Sequence, residues 1–518
     1  MHDVDTTAGV VSAGERAAAI SGKHIRGSSL LLSGRGLALC IKLITQLLLV
    51  RYFSTAAYGS WAYALAAVTL LGGFSSLSLD RALARFATIY HEHKEYGRFF
   101  GALLLVAGAV LISGLLFAAA LYSFPDSARA LMGGRGEPHA LLFILIFLVP
   151  LEGLDQLCVT AFATLGRAGA IFFRKYLLGP LLQLSAVLLL VALDGDLLFM
   201  AAAYLGATLI GGAVNAGLLV RLLRHDGLLQ HFRVKTVELP ARAMFAFALP
   251  LMTGDWLEIL IQSSGALLLG YLAGPEQVAL FRVVIPLALV SQVVTRSFDL
   301  LYVPAASRLF AVGDRAGVHA LYGRTAFWVA VTGFPLFAIT FAAATPVTVL
   351  LYGPRYEASG TVLAILAVGA YAKCAIGFST ATLKVLGRVR YLAVSNLLSA
   401  GLNLALNLIL IPRFGIIGAA AAMSGTLCAD ALIKHEGLRR ATGLSLWQGT
   451  LRRPYANLAM VAFAVVLFRL TGISDPAMLG GAAVAATLAV LLVSRSTLGI
   501  REVFPELARV PLVRMVLR

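Results

Sequence analysis

The sequence predicts an all-α integral membrane protein of about fourteen transmembrane helices, built as two parallel six-helix lobes followed by a C-terminal helix pair. Three observations predict it. Of the 518 residues, 59% are hydrophobic and 13% charged, and the mean hydropathy is +0.87, beyond the apolar share of a soluble domain. Apolar runs of about 18 to 25 residues, each long enough to cross a ~30 Å hydrocarbon layer as a helix, recur along almost the whole chain. With the N-terminus placed in the cytoplasm, most of the 42 Lys and Arg fall in cytoplasmic segments, and six fall opposite: Arg51, Arg129, Arg135, Arg355, Arg413 and Arg469. That asymmetry supports the helix count and the orientation, so most of the +17 net charge reads as topology and not as nucleic-acid binding.

Residues 1–27 carry Asp3, Asp5 and Glu15 without an apolar core, so they read as a cytoplasmic segment and not as a cleaved signal. The spans follow at 28–51, 59–79, 99–122, 139–163, 176–193 and 197–220, which make the N-lobe, 28–220. A cytoplasmic linker, 221–242, leads to the C-lobe, 243–434, with spans at 243–271, 277–303, 325–351, 359–383, 391–411 and 415–434. Spans at 455–471 and 477–494 and a basic tail, 495–518, complete the chain. In LNLALNLILIPRFGIIGAAAAMSG, Leu402 to Gly425, Pro412 cannot continue a helix and Gly415 releases the backbone, so two antiparallel spans meet in a tight turn. Cys40, Cys158, Cys374 and Cys428 all fall inside spans, which predicts neither a disulfide framework nor a zinc site.

Charges inside spans are the candidate site. The cations are Arg35 and Lys42 in span one, Arg282 and Arg296 in span eight, and Lys373 in span ten. The acids include Glu152 and Asp155 in span four, Asp255 and Glu258 in span seven, and Asp299 in span eight. A charge at the bilayer centre costs about 2.5 to 3.5 kcal/mol even on a lenient scale, so these groups must face one another or a wet cavity. Arg35 and Lys42 stand seven apart; Asp255, Glu258 and Gln262 fall at i, i+3 and i+7; Gln292, Arg296 and Asp299 fall at i, i+4 and i+7. Each span so gains one polar stripe. A further stripe, Asn396, Ser399, Asn403 and Asn407, runs down span eleven and suits either interhelical hydrogen bonds or a substrate path.

The chain also repeats itself. TLGRAGAIFFRKYLLGPLLQL from Thr164 resembles VLGRVRYLAVSNLLSAGLNL from Val385, with LGR at 165–167 and 386–388. An offset near 220 residues that maps spans four to six onto ten to twelve preserves orientation, hence the parallel repeat. The offset places Arg35 on Asp255, and one residue more places Glu152 on Lys373, so equivalent positions carry opposite charges. The register leaves two readings open: charges that pair within their own lobe, for instance Arg296 with Asp299, the alignment being accidental, or an Arg35–Asp255 gate.

Several motifs join in a family resemblance: RYFSTAAYGSWAYA, LDRALARF, LYVPAASRL, LLYGPRYEAS, the block LKVLGRVRYLAVSNLLSAGLNLALNLILIPRFGIIGAAAA, and the extra final helix pair. Over about residues 28 to 494 the chain resembles polysaccharide-export and O-antigen repeat-unit flippases (Wzx-type) of the multidrug/oligosaccharidyl-lipid/polysaccharide (MOP, MATE-like) superfamily. The resemblance implies a V-shaped carrier that alternates access and moves an undecaprenyl-diphosphate-linked oligosaccharide across the bacterial inner membrane, for O-antigen, capsule or exopolysaccharide synthesis. It implies basic residues of spans one and eight, here Arg35, Arg282 and Arg296, offered to the diphosphate. Lys42 and Lys373 extend that cationic cavity, and Glu152, Asp155, Asp255, Glu258 and Asp299 are the coupling or gating candidates. Implied partners are the lipid-linked oligosaccharide, the bilayer, a polysaccharide polymerase and a chain-length regulator. No cofactor or metal is expected, and proton coupling, sodium coupling and facilitated exchange stay open.

Other classes fit less well. A lipid II or other lipid-linked glycan flippase shares the resemblance, whereas multidrug extruders typically rely on acidic sites for cations, and span one is basic. A glycan polymerase or ligase needs a sizeable external loop, and the longest here, about 123–138, is too short to fold. Asp194-Gly-Asp196 reads as a solvated turn and not a sugar-nucleotide metal site, while His91 and His93 in HEHKE do not share a helix face. There is no Gly-x-Ser-x-Gly nucleophile elbow. The expectation is a transporter and not an enzyme.

Overall fold

The computed structural model describes residues 31, 33–126, 129, 136–443, 452–473 and 475–498. Every regular element among them is helical. The expected N-terminal segment, 1–27, lies outside the described residues, as does nearly all of the basic tail.

The chain divides into two compact units. The first holds the described residues up to Tyr52, then Ala67–Arg129 and His139–Met252; the second holds Phe53–Ala66, the described part of 130–138, and the chain from Thr253.

The first helices are α1 (Ser33–Tyr52), α2 (Thr55–Ser75), α3 (Leu79–Glu92) and α4 (Tyr96–Ser123). Span two ends earlier than its expected limit. Leu77 and Ser78 take left-handed φ values of 48° and 49°, and the chain bends by 41° into α3. The LDRALARF motif therefore opens a separate amphipathic helix instead of closing a span. It buries Leu79, Ala82, Leu83, Ala87 and Tyr90 at helical spacing and leaves Arg81 and Arg85 exposed, with Arg85 lying 4.6 Å over the Phe247 ring.

Next come α5 (Gly136–Leu145), α6 (Leu148–Thr164), α7 (Ala168–Ala192), α8 (Leu197–His225) and α9 (Ala241–Ala273). Helices α3, α4, α6 and α8 share the core of the first unit, around Leu83, Phe99, Val106, Phe162 and Leu219. Asp196 is the N-cap of α8 and accepts from the Phe199 amide at 2.7 Å, while Tyr52 donates to Asp194 at 3.1 Å. The Asp-x-Asp is thus a hydrogen-bonded helix start.

The second unit continues with α10 (Pro275–Ala288), bent 43° from α11 (Ser291–Ala311), then α12 (Arg315–Ala342), α13 (Ala344–Tyr352), α14 (Ser359–Ile376) and α15 (Ser379–Val385). The continuous stretch Val389–Thr442 is two helices, α16 (389–414) and α17 (416–442), broken at Gly415 with φ 55° and ψ −128°, a conformation open to glycine alone among ordinary residues. Contacts between Ser399 and Asp430 and between Asn403 and Thr426 show that α16 and α17 form the antiparallel hairpin the opening Pro412–Gly415 signal predicts. Helices α12, α14 and α17 supply much of the core, with Phe327, Phe334, Leu363, Leu366, Ala419 and Ala422 all buried. Finally, α18 (Arg452–Leu470) and α19 (Pro476–Leu498) lie against α12; Arg469 donates to the carbonyls of Phe341 and Ala342 at its C-terminal end, at 2.6 and 3.0 Å.

The LGR repeat has a structural cause. Arg167 N–H bonds to Phe162 O at 2.9 Å and Gly166 N–H to Ala163 O at 3.0 Å; Arg388 bonds to Leu383 at 3.0 Å and Gly387 to Lys384 at 3.1 Å. Both are Schellman stops, with φ of 67° at Gly166 and 69° at Gly387.

Among the described residues, eleven helices are long and apolar enough to cross a membrane, or thirteen if each bent pair is one span. The expected fourteen is not confirmed by that criterion. One of the eleven is the broken stretch Val389–Thr442. The protein is a multi-pass membrane protein.

Candidate functional site: a cationic cluster on α1 and α7

In the first unit, Arg35 and Lys42 lie two helical turns apart on α1. Arg35 donates to the Tyr176 hydroxyl at 3.0 Å, and Lys42 lies in the electrostatic field of Lys175, Glu152 and Tyr176. Arg35, Lys42, Lys175 and Glu152 are all accessible. Three cations and one carboxylate therefore line a single region.

Lys175 and Tyr176 owe their positions to a π-helical segment, Phe172–Leu178, inside α7. Such a turn carries an extra residue and changes the faces that follow it. On the same segment Arg174 points inward, 5% exposed. Its Nη2 stands 2.5 Å from Asp155 Oδ1, and its Nε donates to the Gly211 carbonyl at 2.9 Å. Asn215, fully buried on α8, donates to the same Asp155 oxygen at 3.0 Å. The structure so separates the two acids of span four: Asp155 is held by Arg174 and Asn215, and Glu152, one turn away, stays with the exposed lysines.

Placing Arg174 and Lys175 in a cytoplasmic connection before span five is corrected here. Helix α7 starts at Ala168, because the Schellman turn at Gly166 already ends α6, and both residues belong to the helix. The available signal was the lack of any turn residue between Gly169 and Gly179.

The second unit has its own polar cluster. Asp430 and Lys434, each 6% exposed, pair at 2.7 Å on α17; Lys373 of α14 stands 3.7 Å from Asp430, and Ser399 donates to it at 3.0 Å. Neither Asp430 nor Lys434 is among the candidates read from sequence, although their i, i+4 spacing inside an apolar run was the available signal. Asn403 accepts from Ser264 at 2.8 Å and from Asn407 at 3.0 Å and donates to Thr426 at 3.1 Å, so these buried asparagines join α9, α16 and α17. Asn396 is half-buried, with its amide 3.8 Å from where a Cβ on Gly254 would stand.

The remaining candidates are spread. Glu258 is exposed on α9, in the field of Lys434; Asp255, one turn earlier, is half-buried. Arg282 is half-buried near Tyr58. Arg296 is exposed on α11, and both it and Lys384 act electrostatically on half-buried Asp299. Among the described residues no group of three or more His, Cys, Asp or Glu is arranged to hold a metal ion. Outside the spans, Asp226 accepts from Arg167 at 2.5 Å and pairs with His225 at 3.1 Å, and these hydrogen bonds hold its carboxyl below the usual carboxylate range.

Comparison with known proteins bears on the family and the fold. A family model described as polysaccharide biosynthesis protein matches residues 25–310. Among solved structures, the lipid II flippase MurJ in an inward closed conformation is similar at TM-score 0.69 and 13% identity, over 92% of this chain and 99% of that one. An inward-facing multidrug resistance MATE family transporter of the MOP superfamily aligns at TM-score 0.62 and 14% identity, over 79% and 94%. A MOP superfamily transporter from Pyrococcus furiosus aligns at TM-score 0.57 and 15% identity, over 81% and 95%. No curated protein matches the chain by sequence. A family model covering more than half of the chain, on a fold shared with MurJ and the MATE transporters, makes this protein a member of the polysaccharide biosynthesis protein family, built on the MOP-superfamily fold.

Proposed function

We propose that the protein is a flippase that moves a diphosphate-linked lipid oligosaccharide between membrane leaflets, from the cytoplasmic to the periplasmic side of a bacterial inner membrane. The observation that carries the reading is the cluster of Arg35, Lys42 and Lys175 beside one carboxylate, Glu152. Three positive charges against one negative leave an excess of two, which matches a diphosphate diester. Arg35 offers a planar fork to phosphate oxygens, the lysines act as point charges, and the Tyr176 hydroxyl adds a neutral donor. Glu152 serves as the counter-ion of Lys42 while the site is empty and is the group in this cluster able to take a proton during transport; coupling by protons or by sodium both fit that role. Asp155 takes no such part, since Arg174 and Asn215 already engage its carboxylate. Undecaprenyl diphosphate is the proposed lipid carrier, with O-antigen, capsule or exopolysaccharide synthesis as the destination, a polymerase and a chain-length regulator as downstream partners, and both termini cytoplasmic.

Deleting the gene and identifying by mass spectrometry which lipid-linked oligosaccharide accumulates tests the proposal. An accumulated diphosphate-linked repeat unit supports it, accumulated lipid II shifts it to the cell-wall precursor, and unchanged lipid-linked glycans overturn it. The fold likeness to MurJ is what favours lipid II as the second reading. A drug or cation antiporter is disfavoured by the positive excess in the first unit, and a polymerase or ligase by the fold likeness to a flippase and to transporters.

A further inference from the structure

The connection between α8 and α9 is strapped to the start of α4. Glu238 N–H donates to the Gly97 carbonyl at 3.3 Å, and a Cβ on Gly101 would stand 1.9 Å from the Glu238 oxygen, so only a glycine admits the strap there. Tyr96 packs on His231 at 4.3 Å and Phe100 on Phe232 at 5.0 Å, while Arg98 pairs with Glu238 at 2.9 Å and with Glu95 at 3.1 Å. Held in this way, the strap forms one wall of an open groove of about 630 Å³. Its lining is almost wholly apolar and includes Leu104, Gly108 and Ile112 of α4, Phe232 and Leu239 of the strap, and Phe245 of α9. The volume lies within the ~300–1,000 Å³ typical of ligand sites. From Leu104 to Ile112 the groove follows α4 for about 12 Å. Leu104, Ile112 and Leu239 are all exposed.

The strap end of the groove is basic. Arg233, Lys235 and Arg242 are exposed around it and Arg98 adds a fourth cation, against the carboxylates of Glu95 and Glu238. Arg242 precedes Phe245 by one helical turn and shares its face of α9. We propose that this groove is a binding site for an anionic glycerophospholipid, one acyl chain lying between α4 and the strap and the phosphate resting at Arg242 and the strap cations. The chemistry follows from the juxtaposition of an apolar channel along a membrane-length helix with an excess of cations at one end, the pattern by which juxtamembrane basic residues capture anionic headgroups. None of the lining residues belongs to α1, α6 or α7, so the groove is separate from the cationic cluster. That the lipid comes from the cytoplasmic leaflet rests on the orientation proposed above; the binding itself does not.

The test is native mass spectrometry of delipidated, detergent-purified full-length protein titrated with phosphatidylglycerol or phosphatidylcholine. Wild type is expected to retain phosphatidylglycerol at about fivefold lower lipid concentration, the effect of roughly one well-placed cation. A Cβ on Gly108 meets nothing within 4 Å, so Gly108→Phe places its ring in open groove space and is expected to abolish the preference. Arg242→Gln is expected to lower phosphatidylglycerol retention to the phosphatidylcholine level, and Arg453→Gln to leave it unchanged. Should Gly108→Phe fail to fold, Ile112→Trp fills the other end of the groove with the same expected loss. Equal retention of both lipids by wild type, or full preference in the folded groove-filling variant, overturns the proposal. Displacement of phosphatidylglycerol by equimolar undecaprenyl phosphate also overturns it, by giving the groove to the cargo's tail. Lipid retention is read without export, so the result stands whatever the protein transports.

Discussion

Arg174, on the π-helical turn of α7, closes a 2.5 Å ion pair with Asp155 of α6 while its Nε bonds to the Gly211 carbonyl of α8. One buried side chain thereby ties three helices. Removing either member leaves the other charge without its partner, a change that costs about 3 to 5 kcal/mol where both are buried and less here, because Asp155 stays partly accessible. Arg174→Ala is therefore expected to lower the thermal midpoint of the detergent-solubilised protein markedly. Arg174→Lys keeps the charge and loses the fork, and falls between. A midpoint unchanged in Arg174→Ala would mean that water reaches Asp155.

The cationic cluster predicts the opposite phenotype. Arg35→Ala, Lys42→Ala and Lys175→Ala are expected to reduce export at least tenfold, a loss of about 1.4 kcal/mol or more of substrate interaction, while protein abundance stays level. Arg453→Ala, on the exposed start of α18, is expected to export normally. Quantitative membrane immunoblots beside a glycan export assay separate the two outcomes, and equal export from all four variants removes the cluster from the mechanism.

Asn403 makes an interhelical test. Its Leu variant leaves the Ser264 hydroxyl and the Asn407 amide short of their partner. In membrane proteins such bonds contribute about 0.6 kcal/mol on average and up to about 1.7, so Asn403→Leu is expected to lose modest stability with little effect on substrate affinity. Transport kinetics in proteoliposomes decide: a large rise in KM would assign Asn403 to the substrate path.

The Arg167–Asp226 latch gives a pH dependence of known sign. A carboxyl whose folded pKa is depressed binds fewer protons when folded, so its stabilisation is full above the unfolded value of about 3.9 and is lost as pH falls through the lower folded value. Arg167→Gln is expected to flatten the pH dependence of the thermal midpoint below about pH 4 and to leave its slope near neutrality alone. A difference that grows above pH 7 would contradict the latch.

Orientation is tested by reporter fusions. Fusions after Arg98, Lys235 and Arg440 are expected to report cytoplasm and those at Gly195 and Gly274 periplasm, the orientation that the distribution of basic residues predicts. A periplasmic signal at Lys235 would break the parallel repeat.

The fold class and the Pro412–Gly415 hairpin were legible because hydropathy and backbone punctuation are local properties. The site was half legible. Arg35, Lys42 and Glu152 stood out as charges in apolar runs, but Lys175 was hidden by a boundary placed eight residues late, and nothing in FFRKYLL announces a π turn. The Asp155–Arg174 pair joins two successive helices across the turn between them, so no spacing rule within one helix reveals it. LDRALARF looked like the end of a span since the break at Leu77–Ser78 uses left-handed residues other than glycine.

The paired Schellman turns have a consequence for where charge stands in the two halves. Counting back the same distance from Gly166 and from Gly387 arrives at Glu152 and at Lys373. The stops act as fixed milestones: at the same distance before each, one span carries an acid and the other a base, so a charge of either sign stands there without any change in where its span ends.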